Sequence, residues 1–232
     1  MIIGVSGKKQ AGKSLLCKDI FTKYFVGNSR GVRAYSFADA LKSKVCMEVM
    51  GLTREQCYGT DKQKNTPTIY KWENLPHRIR YDNKLGCNYA SNGEVCEHIL
   101  PTGFMTARSI LQVVGTDIFR RFFNDNIWVE TIFRVIAKDN PKIAIIEDVR
   151  FPSEVTSIIN KGGYIIRLLR DVCDEDSHSS EKSLDDYDFT SLGKQCFVLD
   201  NQKMTIKEKN ESIFFHLENE WKINKGFLDE NS

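Results

Sequence analysis

Residues Gly7-Lys8-Lys9-Gln10-Ala11-Gly12-Lys13-Ser14 match G-x-x-x-x-G-K-[ST] at every constrained position, directly after the apolar run Met1 to Val5. A strand, a glycine-bounded loop and a helix in immediate succession constrain this chain more than any other feature. The glycines let the backbone curl around an anion, so that successive N–H groups and the positive end of the following helix converge on a nucleotide's β-phosphate. Lys13 then reaches the β- and γ-oxygens, and the Ser14 hydroxyl is a ligand for Mg²⁺. Gly7, Lys8, Gln10, Ala11, Gly12, Lys13, Ser14 and Leu15 form the expected nucleotide-binding set. Leu16, Ile20 and Tyr24 have the spacing of an amphipathic helix, which supplies the context the motif needs.

With 232 residues and no Pro/Gly/Ser-rich linker, the chain reads as a single domain over 1–232, large enough to bury a sizeable core. Lys and Arg total 33 against 31 Asp and Glu, so the basic excess of a dedicated nucleic-acid binder is missing. No membrane-spanning stretch or signal-peptide pattern is visible, which points to a cytoplasmic chain. Seven cysteines, at 17, 46, 57, 87, 96, 173 and 196, form no C-x-x-C pair and suit a reducing compartment. Cys57, His77, Cys87, Cys96 and His98 are close in sequence, but their spacing fits no standard zinc site.

Along the chain, strands are expected at Val32 to Phe37, Lys142 to Ile146, Tyr164 to Leu169 and Cys196 to Leu199. Helices are expected at Ala38 to Met50, from Thr106 with Ile110, Val114, Ile118 and Phe122 on one stripe, and beyond Asn126 with Trp128, Ile132 and Val135. Two more follow at Ser153 to Lys161 and Lys203 to Trp221. The stretch from Leu52 to Gly103 holds three of the five prolines and four glycines without sustained periodicity, and reads as an inserted cap. The polar stretch from Asp171 to Ser191 reads as a loop or lid. Strands alternating with helices imply an α/β fold with a mostly parallel, five-stranded sheet between helices, whose site lies at the strands' C-terminal edge.

Several charged and aromatic residues fall where that edge or one helix face would present them. Asp148 follows an apolar strand, as a carboxylate organising Mg²⁺ would; it could equally be a helix-capping Asp. Arg150 and Glu154 form either a surface i, i+4 ion pair or a fork for an acceptor phosphate. Arg108 and Gln112 lie one turn apart on a stripe where Gly115 would admit a ligand, offering phosphate and base-edge contacts. That stripe is equally consistent with a solvated helix face. Phe37, Trp72 and Trp128 could stack on a base or lie in the core.

The chain resembles the deoxynucleoside monophosphate kinases of tailed bacteriophages from the phosphate loop to about Asn201. The likeness is carried by Phe37-Ala38-Asp39-Ala40-Leu41-Lys42, by Tyr58-Gly59 with Lys64-Asn65-Thr66 and Trp72-Glu73, and by Thr106-Ala107-Arg108 with Leu111-Gln112 and Gly115-Thr116-Asp117. Ile127-Trp128-Val129, Asp148-Val149-Arg150 with Glu154, and His178-Ser179-Ser180-Glu181 complete it. The resemblance implies a nucleoside monophosphate kinase-like fold of the P-loop class, and ATP-dependent conversion of a dNMP to its dNDP for DNA precursor supply. In the resemblance Arg108, Trp128, Asp148, Arg150 and Glu154 match positions that hold or orient the dNMP; with Phe37 and Gln112, added from the residues' own placement, they make up the expected substrate set, and Lys13, Arg108, Asp148 and Arg150 the expected catalytic set. Mg²⁺ would sit on Ser14 and Asp148.

Two departures qualify the resemblance. Ser14 stands where many phage kinases carry Asp, which favours direct Mg²⁺ ligation by Ser14. The stretch 171–191 contains no arginine, so transition-state charge falls to Lys13, Arg108, Arg150, Arg170 or Arg120. The partner expected is a small-molecule dNMP, with no nucleic acid and no membrane; a homodimer is compatible with the sequence. The compartment would be the host cytoplasm if the chain is viral. The rival functions are a P-loop kinase of another small acceptor, such as a nucleoside or a coenzyme precursor, and a nucleotide-dependent switch or ATPase.

Overall fold

Five parallel strands run side by side in the order β2 (Val32–Ser36), β7 (Ile143–Val149), β1 (Ile2–Gly7), β8 (Tyr164–Leu168) and β9 (Cys196–Leu199), a doubly wound arrangement with the phosphate loop at the carboxyl end of its middle strand. The computed structural model describes residues 1–8, 10–24, 31–89, 95–170 and 183–223. In chain order come β1 (Ile2–Gly7), α1 (Lys13–Tyr24), β2 (Val32–Ser36) and a π-helix (Ala40–Val49). Next are α2 (Arg54–Tyr58), α3 (Asp61–Lys64), β3 (Pro67–Lys71), a 3₁₀ turn (Trp72–Asn74), α4 (His77–Asp82), β4 (Gly86–Tyr89), β5 (Val95–Ile99) and β6 (Phe104–Thr106). Then follow α5 (Ala107–Gln112), a second π-helix (Val113–Arg120), α6 (Ile127–Asp139), β7 (Ile143–Val149), α7 (Pro152–Asn160) and β8 (Tyr164–Leu168). A 3₁₀ segment (Phe189–Gln195), β9 (Cys196–Leu199) and α8 (Ile206–Asn219) complete the run.

Two compact units emerge: Met1–Phe37 with Val129–Ser232, and Ala38–Trp128. The first holds the parallel sheet. Strands buried on both faces read as continuous apolar runs, and β7 does so from Ile143 to Ile146. One sheet face presents Ile3, Val5, Ile143, Ile145, Ile166 and Leu168 to Leu16, Ile20 and Tyr24 of α1 and to Ile213 and Leu217 of α8. On the other face Gly4 lets α7 approach, because a Cβ there would lie 2.7 Å from Ile158 Cδ1 and 2.9 Å from Ile165 Cδ1. Thr205 caps α8 in a reciprocal box with Glu208, so the helix starts after Thr205 rather than at Lys203.

The second unit begins before and ends after the 52–103 cap read from the sequence. Its segment without sustained periodicity folds as short capped helices and two-stranded ribbons, β3 with β6 and β4 with β5. Thr53 and Thr60 each form a capping box, with Gln56 and Gln63, which explains why such short helices hold. The helical stripe expected from Ile110 to Phe122 holds at Ile110 and Val114 but fails at Phe122, which is 55 % exposed. From Val113 the helix widens to i→i+5 bonding, which turns later residues out of a 3.6-residue phase. Likewise α6 buries Trp128, Val129, Ile132 and Ile136, while Val135 is exposed. Residues 171–182, most of the expected lid, lie outside the described residues. None of the described helices is long and apolar enough to cross a membrane.

Candidate active site

The phosphate loop leaves β1 at Gly7 and returns as α1 at Lys13. Gln10 and Gly12 take φ of 63° and 89°, the left-handed region; glycine enters it freely, whereas Gln10 pays roughly 1–2 kcal/mol. The Ala11 N–H donates to Lys8 O at 3.2 Å and closes the turn. Lys13 is buried, and its ammonium donates to the carbonyls of Gly7 at 2.5 Å and Lys8 at 2.8 Å. That same ammonium faces Asp148 Oδ1 at 3.4 Å.

Asp148 owes its direction to an irregular strand. Gly4 pairs with Ile146 but Ser6 pairs with Val149, so β7 spends one more residue than β1 over this step, a β-bulge. Asp148 itself has φ of 62°, a strained position for a residue with a Cβ and one that re-aims its carboxylate. Arg150 donates to Asp148 Oδ2 through Nε at 2.7 Å and Nη2 at 2.5 Å. Burial would raise the Asp148 carboxyl, but the charges of Arg150 and Lys13 outweigh it and hold it below the usual carboxylate range. Asp148 is thus an anion between two cations, and its Oδ1 is buried without a hydrogen-bond partner.

Glu154 is 2 % exposed, and its Oε2 accepts the backbone N–H of Arg150 at 2.8 Å and of Phe151 at 3.2 Å. The sequence leaves open a surface pair with Arg150 or a fork for an acceptor phosphate; the carboxylate is buried and bonds the backbone of the turn that carries Arg150, at the proline-led start of α7. Ser183 Oγ donates to the Arg150 carbonyl at 2.8 Å from the other side.

The structure brings Lys13, Asp148 and Arg150 together and sets Glu154 beneath them. Arg108, Gln112 and Trp128 belong to the second unit. There Thr106 caps α5, and the Arg108 guanidinium is gripped through Nε by Asn65 Oδ1 at 3.0 Å and through Nη2 by Asp61 Oδ1 at 2.6 Å. Gln112 follows one helical turn later on the same face. Trp128 is 6 % exposed and donates its indole N–H to the Gly115 carbonyl at 2.9 Å. A Cβ on Gly115 would lie 2.5 Å from Leu41 Cδ2, so the close approach this glycine permits is that of Leu41, not of a ligand. Phe37, at the end of the first unit's initial segment, is also buried.

Sequence reasoning passed over two buried polar residues that end on the loop, Asn201 and Lys209. Lys209 had a signal: it continues the buried stripe of Ile213 and Leu217 one turn back, where packing alone would call for an apolar residue. Asn201 lies just past the carboxyl end of β9, the edge where parallel sheets build their sites.

Comparison with known proteins shows the family. The sequence profile of the deoxynucleotide monophosphate kinase family matches residues 64–192. A putative deoxynucleotide monophosphate kinase of Acanthamoeba polyphaga mimivirus is 30 % identical over 236 residues, covering 97 % of this chain and 100 % of the relative. The deoxynucleoside-5'-monophosphate kinase of Escherichia phage T5 is 45 % identical over 51 residues, 22 % of this chain and 20 % of the relative.

Proposed function

The chain belongs to the deoxynucleotide monophosphate kinase family, and from that membership we infer that it transfers the γ-phosphate of ATP to a dNMP, giving dNDP and ADP. The observation that carries the site assignment is the Lys13–Asp148–Arg150 cluster at the mouth of the phosphate loop. An acceptor phosphate oxygen forms a bond to the γ-phosphorus as the bond to the β,γ-bridging oxygen breaks, and the electron pair leaves with ADP. Little covalent chemistry falls to the protein, whose work is alignment and charge neutralisation.

In this reading the loop amides and Lys13 hold the β- and γ-phosphates. Arg150 meets the charge that spreads over the transferring group, with Glu154 fixing its backbone. Asp148 keeps both cations at the loop. Arg108, pre-set by Asp61 and Asn65, is the second unit's handle for the acceptor phosphate, and Gln112 contacts the base. Phe37 and Trp128, being buried, shape the walls of their own units. The residues present also suit Mg²⁺: the Ser14 hydroxyl and Asp148 Oδ1, which pairs with the Lys13 ammonium at 3.4 Å but accepts no hydrogen bond, are hard oxygen donors of the kind it selects, one carboxylate with phosphates and water being a common set. When bound, the ion neutralises charge between the β- and γ-phosphates. The viral relatives suggest a role in DNA precursor supply in a host cytoplasm.

A coupled ADP-release assay with Mg²⁺ and ATP against dTMP, dGMP, dCMP, dAMP, nucleosides and small alcohols tests the reading. Turnover with at least one dNMP and none with the nucleosides or alcohols is expected. Turnover confined to a non-nucleotide acceptor would reject it.

A further inference from the structure

Two buried polar side chains, both delivered by the C-terminal part of the chain, end on consecutive carbonyls of the phosphate loop. Asn201 is 2 % exposed; its Nδ2 donates to Ala11 O at 3.1 Å and its Oδ1 accepts the Arg170 N–H at 3.0 Å. These two bonds fix the amide's orientation, since a flip would set donor against donor and acceptor against acceptor. Lys209 is 3 % exposed, and its Nζ donates to Gly12 O at 3.3 Å. That carbonyl also takes the helical bond from Leu16 N at 3.1 Å.

Burying a lysine works against its charge, and Lys209 is accordingly pushed below the ordinary ammonium range, with Asp19 partly offsetting the effect. An apolar residue on the same stripe would pack beside Ile213 and Leu217 without that cost. Packing therefore does not account for the ammonium. Its position behind the loop does.

The described chain has no cis peptide bond, and in a trans peptide the C=O and the N–H point in opposite directions. With Ala11 O held by Asn201, the Gly12 N–H is directed away from that anchor. Likewise, with Gly12 O held by Lys209, the Lys13 N–H is directed away from Lys209. Amides at these positions are the ones a phosphate loop aims at an anion. We propose that Asn201 and Lys209 are positioning residues for the triphosphate: they hold two successive peptide planes of the loop in the orientation that presents the Gly12 and Lys13 amides to phosphate. Lys209 also adds a positive charge behind the cradle. The proposal rests on the reading that ATP occupies this loop.

Calorimetric titration of the full chain with three probes tests it: ATP, inorganic triphosphate, and the dNMP that turns over fastest in the panel above. Asn201→Asp keeps the acceptor for Arg170 N but turns an oxygen toward Ala11 O. Lys209→Met keeps the length and loses the donor. Each is expected to weaken ATP and inorganic triphosphate by about tenfold, the loss of roughly one charge-assisted or buried hydrogen bond, with dNMP affinity unchanged. In these two variants KM for ATP rises while KM for the dNMP stays, and Lys209→Arg restores both triphosphate affinity and KM for ATP.

ATP and triphosphate affinities within about twofold of the parent's, well under the single hydrogen bond at stake, would overturn the proposal. So would a parallel loss of ATP and dNMP affinity, the mark of general loosening. A variant lacking the parent's circular dichroism spectrum is replaced by Asn201→Ser or Lys209→Gln and judged by the same ratio. Failure of the parent itself to bind ATP would instead remove the kinase reading, and this proposal with it.

Discussion

Lys13 Nζ and Asp148 Oδ1 face each other at 3.4 Å across the step from β7 to the phosphate loop, although 135 positions separate them in the chain. Asp148 reaches that point only because β7 carries a bulge and a left-handed residue at its end. Its second oxygen is occupied by Arg150. The carboxylate therefore sets where both cations stand.

Asp148→Asn removes the charge while keeping the shape, and asparagine tolerates the left-handed backbone. Steady-state kinetics should show kcat lowered by about 10²-fold, the scale for losing one preorganised electrostatic element. A kcat close to the parent's would show that Asp148 does not organise the transferring phosphate.

Arg150→Ala should lower kcat by about 10³-fold, as expected for an arginine that meets charge on the transferring phosphoryl group. Lys13→Ala should abolish turnover. Near-normal kinetics for Arg150→Ala would remove that residue from the mechanism and pass its role to Arg108, Arg120 or Arg170.

Glu154 serves the same cluster through the backbone. Glu154→Ala leaves the N–H groups of Arg150 and Phe151 without their carboxylate acceptor, and it should cost about 1.5–3 kcal/mol of stability in chemical denaturation. Glu154→Gln keeps one acceptor oxygen and should cost less. Equal stability of all three proteins would show that the carboxylate is not a structural acceptor.

Much of this was legible in the sequence because local and global signals coincide around the sheet. The G-x-x-x-x-G-K-[ST] run, the apolar strand before Asp148 and the proline-led start of α7 each have a short-range physical cause, and they place Lys13, Asp148 and Arg150 at one edge. The strand at Cys196 to Leu199 was found to the residue. What escaped depends on contacts remote in sequence. Nothing near Glu154 says that its carboxylate accepts the backbone N–H groups of Arg150 and Phe151. Gly115 reads as a ligand's approach until Leu41 is seen to fill it. The widening at Val113 changes the helical period, so a stripe drawn at 3.6 residues per turn carries Phe122 to the wrong face.

His216 gives the fold a pH dependence. Its ring stacks on Phe197 at 4.0 Å between centroids and meets Trp221 edge-on at 5.0 Å, and its Nε2 is buried without a hydrogen-bond partner. Burial pushes the imidazole below its ordinary value, with the Glu220 charge opposing. A group whose folded-state value is lowered contributes stability that is complete above its unfolded value of about 6.5 and is lost as pH falls through the folded value. Thermal melts should therefore show the midpoint falling on acidification below about pH 6.5, more steeply in the parent than in His216→Phe. Identical pH profiles for the two proteins would contradict the assignment.

The central claim is that phosphorus moves from ATP to a deoxynucleoside monophosphate at this phosphate loop. Phosphorus NMR of a reaction containing Mg²⁺, ATP and the accepted dNMP tests it most directly. dNDP and ADP should appear in equal amounts, with no accumulation of inorganic phosphate, and neither product should form with Lys13→Ala. Inorganic phosphate in place of dNDP, or dNDP formed undiminished by Lys13→Ala, would contradict it.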